Sequence, residues 1–314
     1  MENKNYLSGD SAESKIIFWG TGPLAESVLY SLYKSGYTPQ YVVTKPDSAV
    51  GRKQIVTAPF IKTWCESKDI KVLQPDNLKD INEDIQILLQ DYDLSIVASY
   101  GKIIPENILN IPKYGFLNVH PSDLPRYRGP SPIESALLAG ERDITVSIMK
   151  LDAGMDSGPI LIKQKFDLNM TDTAQSVELK AGQLGGELLI NTLEHYISGA
   201  LVPVAQTISD VTICKYIEKS QGEISLTDDI ENIKNKYRAF YPWPGIFFYT
   251  ENKHNTQKEN PTLPKATQDK EIKRLRIKIT SFDLLADNIE SCILKVTPEG
   301  KSEMSFEDFK RGYM

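Results

Sequence analysis

The stretch Phe116–Asp156, FLNVHPSDLPRYRGPSPIESALLAGERDITVSIMKLDAGMD, decides how the rest of the chain is read. Phe116 to His120 alternates as a short strand, with Phe116, Asn118 and His120 on one face and Leu117 and Val119 on the other. A carboxamide and an imidazole two residues apart therefore point the same way. Pro121 cannot donate to a central ladder, so the strand stops as His120 is presented. In an open α/β sheet ligands bind outside the carboxyl ends of the strands, which puts Asn118 and His120 on rigid backbone at such an end. Ser122 to Pro132 is rich in Pro, Gly and Arg and reads as a shaped loop. Ser131, Pro132 and Glu134 form a helix start, and Gly140 ends that helix. Ile144 to Leu151 reads as a strand. The segment Asp152–Gly158 then turns tightly enough to bring Asp156 back toward His120, where a carboxylate favours the imidazolium and orients the ring.

Three motifs in this order, NVHPSDLP (118–125), RGPSP (128–132) and LDAGMDSG (151–158), resemble the folate-dependent formyltransferases. The resemblance implies that the Asn and His of NxH and the second Asp of DxGxDxG are catalytic, which maps onto Asn118, His120 and Asp156. It implies a folate site lined by Ser122, Asp123, Leu124, Pro125, Tyr100, Gly101 and Asp152, with 10-formyltetrahydrofolate as co-substrate and no metal. Asp123 departs from the family, which usually has an apolar residue there.

At 314 residues the chain is long enough for two domains and a substantial core. A hydrophobic content of 40% and a charged content of 25% are those of an ordinary globular protein. Cys65, Cys214 and Cys292 lie far apart without metal-ligand spacing, and their odd number argues against a disulfide framework. The first fourteen residues are polar, without the apolar core of a signal peptide. No apolar run reaches membrane-spanning length. A cytoplasmic monomer that uses no membrane is the expectation.

Residues 1–14 read as a disordered tail and 15–203 as a doubly wound, Rossmann-like α/β domain. Ile16–Trp19 is the first strand, and Gly20-Thr-Gly-Pro-Leu-Ala25 after it matches a dinucleotide fingerprint. That fingerprint also wants an acidic residue at the end of the second strand. Thr44-Lys45-Pro46 follows Tyr41–Val43 instead, so a plain strand-to-helix turn is the better reading. Lys45–Pro59 has no periodicity and reads as a long exposed loop. The resemblance implies that it packs against the acceptor end of a tRNA, with Arg52 reaching in. A helix over Pro59–Ser67, a strand over Ile70–Leu73, a helix around Ile85–Leu89 and a buried strand over Leu94–Ala98 follow. Beyond Asp156 come a strand, Ile160–Phe166, and a helix that carries an apolar stripe from Leu179 to Ile197 and closes at Gly199.

From Val204 to Met314 the chain reads as short strands, the last over Met304–Tyr313, and one helix, Ile230–Tyr237. This suggests a small OB-like barrel. RAFYPWPG (238–245) and PEGKSEMSFEDFKRGY (298–313) resemble the C-terminal domain of the methionyl-tRNA branch of the same family, which implies initiator methionyl-tRNA as acceptor. Trp243 among its prolines reads as hydrophobic packing at the domain junction. Residues 210–314 carry 17 basic and 17 acidic side chains, so the net charge of −6 belongs to residues 1–209. Within Lys253–Lys278, eight basic residues face three acidic ones. Such a patch, with Lys273, Arg274 and Arg276, suits a phosphate backbone as well as it suits a solvated loop. Three other readings compete: a sugar-nucleotide N-formyltransferase with the same donor, a nicotinamide-dependent oxidoreductase resting on GTGPLA, and a non-catalytic RNA-binding protein.

Overall fold

A computed structural model of the protein describes residues 14–50, 53–78, 83–251 and 274–314. The expected N-terminal tail (but for Ser14), Arg52, Lys273 and most of the basic stretch 253–278 lie outside the described residues. The chain divides into two compact units. The first takes the chain as far as Ala136, with Arg142–Leu168 and Gln175–Tyr216; the second takes Leu137–Glu141, Asn169–Ala174 and Ile217–Met314.

In the first unit, β1 (Ile16–Gly20) leads into α1 (Pro23–Lys34), β2 (Tyr41–Val43), and the strands β3 (Ser48–Val50) and β4 (Ile55–Thr57). There follow α2 (Phe60–Glu66), β5 (Lys71–Leu73), α3 (Glu83–Gln90), β6 (Leu94–Ala98), α4 (Glu106–Leu109) and β7 (Phe116–His120). Then come α5 (Pro132–Leu138), β8 (Asp143–Lys150), β9 (Ile160–Asp167) and α6 (Ala174–Ile197). Seven strands form one sheet in the order β5-β2-β1-β6-β7-β8-β9. Pairing is parallel from β5 to β7 and antiparallel from β7 to β9. The alternation of strands and helices thus gives the doubly wound α/β fold, with an antiparallel edge. The connection 151–159 is too short for a crossover helix, so β9 returns beside β8 as a hairpin.

β1, β6 and β7 are buried along their whole length, as strands covered on both faces must be. Trp19 packs edge-on to Tyr100, with centroids 5.5 Å apart, and its indole N–H donates to Ser95 Oγ at 3.3 Å. A Cβ at Gly20 would stand 2.5 Å from the Ala98 carbonyl and 2.7 Å from Ala25 Cβ, so this glycine lets β1, β6 and α1 approach. Buried Thr44 stands just past β2, its hydroxyl 2.9 Å from that of Thr21. A hydroxyl thus occupies the place where a dinucleotide site needs a carboxylate. Gly182 and Gly186 do for α6 what Gly20 does for the sheet: a Cβ on either would collide with Ser27 or Ser31 of α1.

The structure departs from the sequence reading in two places here. The stretch Lys45–Pro59 is not wholly irregular, because β3 and β4 pair in it as an antiparallel hairpin. Strands of three residues are too short to show a period. And the chain stays on the first unit past Val204. Val204 exchanges both backbone hydrogen bonds with Ile160 at 2.8 Å, and Cys214 N–H donates to the Arg128 carbonyl at 2.8 Å.

The second unit contains α7 (Ile230–Phe240), β10 (Phe247–Glu251), β11 (Arg274–Phe282), α8 (Ile289–Cys292), β12 (Ile293–Pro298), β13 (Met304–Ser305) and α9 (Phe306–Tyr313). An antiparallel sheet, β10-β11-β12-β13, stands where the OB-like domain is expected. Asp229 caps α7 by accepting the N–H of Glu231 and Asn232, both at 3.1 Å. The expected terminal strand is only Met304–Ser305; a helix follows. Ser305 Oγ accepts the Asp308 N–H at 3.1 Å as its cap, and Phe306, Phe309 and Tyr313 stack at helical spacing. Trp243 is 55% exposed, whereas Arg238, Ala239, Phe240 and Pro244 of the same stretch are buried. Among the described residues no helix is long and apolar enough to cross a membrane, and all three cysteines are free and buried.

Candidate active site

Asn118 and His120, both buried, lie on one face of β7, where alternation puts them. His120 Nε2 is 3.0 Å from the Tyr127 carbonyl oxygen. A carbonyl only accepts, so Nε2 carries a proton and Nδ1 is left toward Asp156, whose Oδ1 is 3.9 Å away. That is an ion-pair distance, longer than a direct hydrogen bond. The other oxygen of Asp156 accepts the Gly129 N–H at 2.8 Å. The Asn118 carboxamide has no hydrogen-bond partner among the described residues, so its N–H groups are available. Ser99 (φ 47°), Tyr127 (φ 56°) and Asp156 (φ 46°) are all left-handed. They lie after β6, after β7 and between β8 and β9. Strain of this kind, of order 1–3 kcal/mol per residue, persists where the surroundings over-determine the backbone.

The other expected site residues fall into distinct places. Ser122 is buried; its hydroxyl donates to the Arg126 carbonyl at 2.8 Å, and its own carbonyl accepts from Ser147 Oγ at 2.6 Å. Asp123 accepts from Lys163 Nζ at 2.6 Å, and the same ammonium donates to the Leu124 carbonyl at 2.8 Å. The unusual carboxylate is therefore neutralised locally. Leu124 is fully buried, and the Pro125 carbonyl accepts from the Thr212 N–H at 3.3 Å. Tyr100 has its side chain in the core, where burial pushes its phenol up to about 12. Gly101 is left-handed (φ 72°), and a Cβ there would stand 3.0 Å from Lys45 Nζ. Asp152 accepts from Gly154 N–H at 3.1 Å and Ser157 Oγ at 2.7 Å, which shapes the turn that carries Asp156. In the second unit Arg274 is exposed, and the Arg276 guanidinium lies 3.7 Å over the Phe247 ring.

Four residues at the site had no role in the sequence reading. Arg128 donates from Nε and Nη2 to Gln206 Oε1 at 3.1 and 2.7 Å, and Gln206 Nε2 donates to the carbonyls of Asp156 and Gly158 at 2.9 and 2.7 Å. Gly129 (φ 114°) approaches the Cys214 carbonyl so closely that a Cβ would stand 2.5 Å from it. Burial pushes the Cys214 thiol up, so it stays protonated and donates to the Arg128 carbonyl at 3.1 Å. Arg128 and Gly129 belong to a motif quoted above and carry that signal; Gln206 and Cys214 stand in no motif.

The doubly wound sheet has counterparts among known proteins. Residues 14–193 match the formyl transferase family and residues 216–314 match the formyl transferase C-terminal domain, so the chain belongs to the formyl transferase family. A methionyl-tRNA formyltransferase of Rickettsia bellii is 36% identical over 308 residues, covering 95% of this chain and 97% of that protein. The chain is an enzyme of that type. Two solved structures share the fold. The methionyl-tRNA formyltransferase of Clostridium thermocellum covers 93% of this chain and 99% of its own, with a TM-score of 0.56 and 18% identity. The N-formyltransferase of Helicobacter canadensis, in complex with folinic acid and dTDP-3-aminofucose, covers 76% and 89%, with a TM-score of 0.56 and 19% identity.

Proposed function

We propose that this enzyme acts as a cytoplasmic monomer and moves the formyl group of 10-formyltetrahydrofolate to the α-amino group of initiator methionyl-tRNA. The observation that best supports this reading is the joining, in one chain, of the Asn118–His120–Asp156 site to residues 216–314, which match the formyl transferase C-terminal domain, with the Rickettsia bellii protein covering 95% of the whole. The amine nitrogen attacks the formyl carbon, the bond from that carbon to N10 breaks, and the proton lost by the amine ends on N10. The Asn118 amide and the Nδ1–H of a protonated His120 donate to the oxyanion as it forms. Asp156 faces His120 Nδ1, orients the ring and relays the proton through a water. The folate lies along Ser122–Pro125, the Tyr100–Gly101 backbone and the Asp152 turn. Arg52 acts near the reacting end of the tRNA, while Lys273, Arg274 and Arg276 hold phosphates.

The test is an assay with 10-formyltetrahydrofolate and methionyl-tRNA, with an amino-sugar nucleotide as competing acceptor. Formylmethionyl-tRNA is the expected product. Formylated sugar with unmodified tRNA would transfer the reading to the sugar N-formyltransferases.

A further inference from the structure

Gln206 sits in the segment that follows α6, outside every motif of the chain. Its carboxamide is saturated: two N–H groups donate to the Asp156 and Gly158 carbonyls, and the oxygen accepts twice from Arg128. A carboxylate in its place has no donors for those carbonyls, and an apolar side chain has neither donors nor acceptor. The four bonds tie the turn that carries Asp156 to the loop that follows β7. The same segment braces that loop further along. Thr212 Oγ1 accepts the Tyr127 N–H at 2.8 Å, the Thr212 carbonyl accepts the Arg128 N–H at 2.9 Å, and Cys214 N–H donates to the Arg128 carbonyl at 2.8 Å. Tyr127 supplies the carbonyl at His120 Nε2, and Asp156 supplies the carboxylate at Nδ1. Residues 206–214 therefore hold both partners of the imidazole, and both partners have left-handed backbones that need outside restraint.

We propose that Gln206, through its pairing with Arg128, is a positioning residue that sets the distance and orientation of Asp156 relative to His120. This rests on the reading in which those two residues are catalytic. Gln206 touches neither reacting group, so its effect must pass through geometry. A displacement of about 1 Å at a reacting group can cost on the order of a hundred-fold in rate.

The experiment compares Gln206→Met, which keeps length and volume without hydrogen bonds, with Asp156→Asn and the double variant, all in the full-length protein. The readouts are kcat, KM for methionyl-tRNA and for 10-formyltetrahydrofolate, the pH–rate profile and the melting temperature. Gln206→Met should lose roughly ten- to a hundred-fold in kcat with both KM values near the parent's. Its pH–rate profile should change, and Asp156→Asn should add little to it, because the two act as one unit. A folded Gln206→Met enzyme with the parent's kcat and pH profile overturns the inference. So does one that loses stability alone. Should Gln206→Met not fold, Arg128→Lys, which keeps the charge but loses the fork, is judged by the same criteria. If Asp156→Asn itself retains the parent's kcat, the catalytic reading fails. If Asp156→Asn is impaired and Gln206→Met is not, only the positioning role fails.

Discussion

Asn118 is poised by what it does not bond. Its backbone is locked between β6 and β8, opposite Val97 and Met149, while its amide has no hydrogen-bond partner among the described residues. A donor held on rigid backbone without a partner to give up costs nothing to reorganise when charge appears. Asn118→Ala should therefore reduce kcat roughly a hundred- to a thousand-fold and leave the melting temperature close to the parent's. Steady-state kinetics and a thermal melt check both halves, and a parent-like kcat removes this residue from the chemistry. Asp156→Asn keeps an oxygen for the Gly129 N–H but loses the negative charge that faces His120 Nδ1 at 3.9 Å. Its rate should fall and its pH–rate profile should change together.

Three helices of the first unit meet through carboxyl groups: Glu26 on α1, Glu134 on α5 and Glu178 on α6. Burial, and then the charges of Glu134 and Glu26, push Glu178 up from 4.5 to about 7; burial also raises Glu26 and Glu134. A carboxyl raised in the folded state is protonated there at a pH where the unfolded chain has already ionised. The stability this contributes is complete below 4.5 and is lost as the pH rises through about 7. Glu178→Gln keeps the neutral shape at every pH. It should flatten the dependence of stability on pH across that window and stabilise the protein at about pH 8, by on the order of 1–3 kcal/mol. Denaturant unfolding at the two ends of the window measures this; equal curves for parent and variant would mean that Glu178 ionises freely in the packed helices.

At the scale of the whole molecule, the acidic balance of residues 1–209 contrasts with the even balance of residues 210–314. An acceptor with a phosphate backbone should therefore be held chiefly by the second unit. Arg276 lies on Phe247, so removing it would also uncover a ring. Lys273→Ala with Arg274→Ala is the cleaner change. It should weaken binding of many tRNAs alike and flatten the salt dependence by roughly one unit of slope per lost contact. Arg52→Ala should instead slow formylation of bound tRNA more than it weakens binding. Binding measured over a salt series, beside single-turnover rates, separates the two. Equal salt slopes for parent and the paired variant would place the tRNA elsewhere.

The alternation of strands and helices in the first unit, the face shared by Asn118 and His120 and the turn chemistry after His120 follow from period, proline and glycine. These act over a few residues, so the linear chain displays them. The motif spacing was enough to put Asp156 on a turn that returns toward His120. Only the tertiary structure decided the rest: the 3.9 Å between those side chains, the Lys163 partner of Asp123, the antiparallel return of β9 and the clamp on Gln206. Arg128 and Gln206 are 78 positions apart and Tyr127 and Thr212 are 85 apart. A hydrogen bond across such a separation leaves no period and no spacing in either partner's neighbourhood. It exists because strands and helices with local causes bring two loops together, and its geometry is a property of that packing.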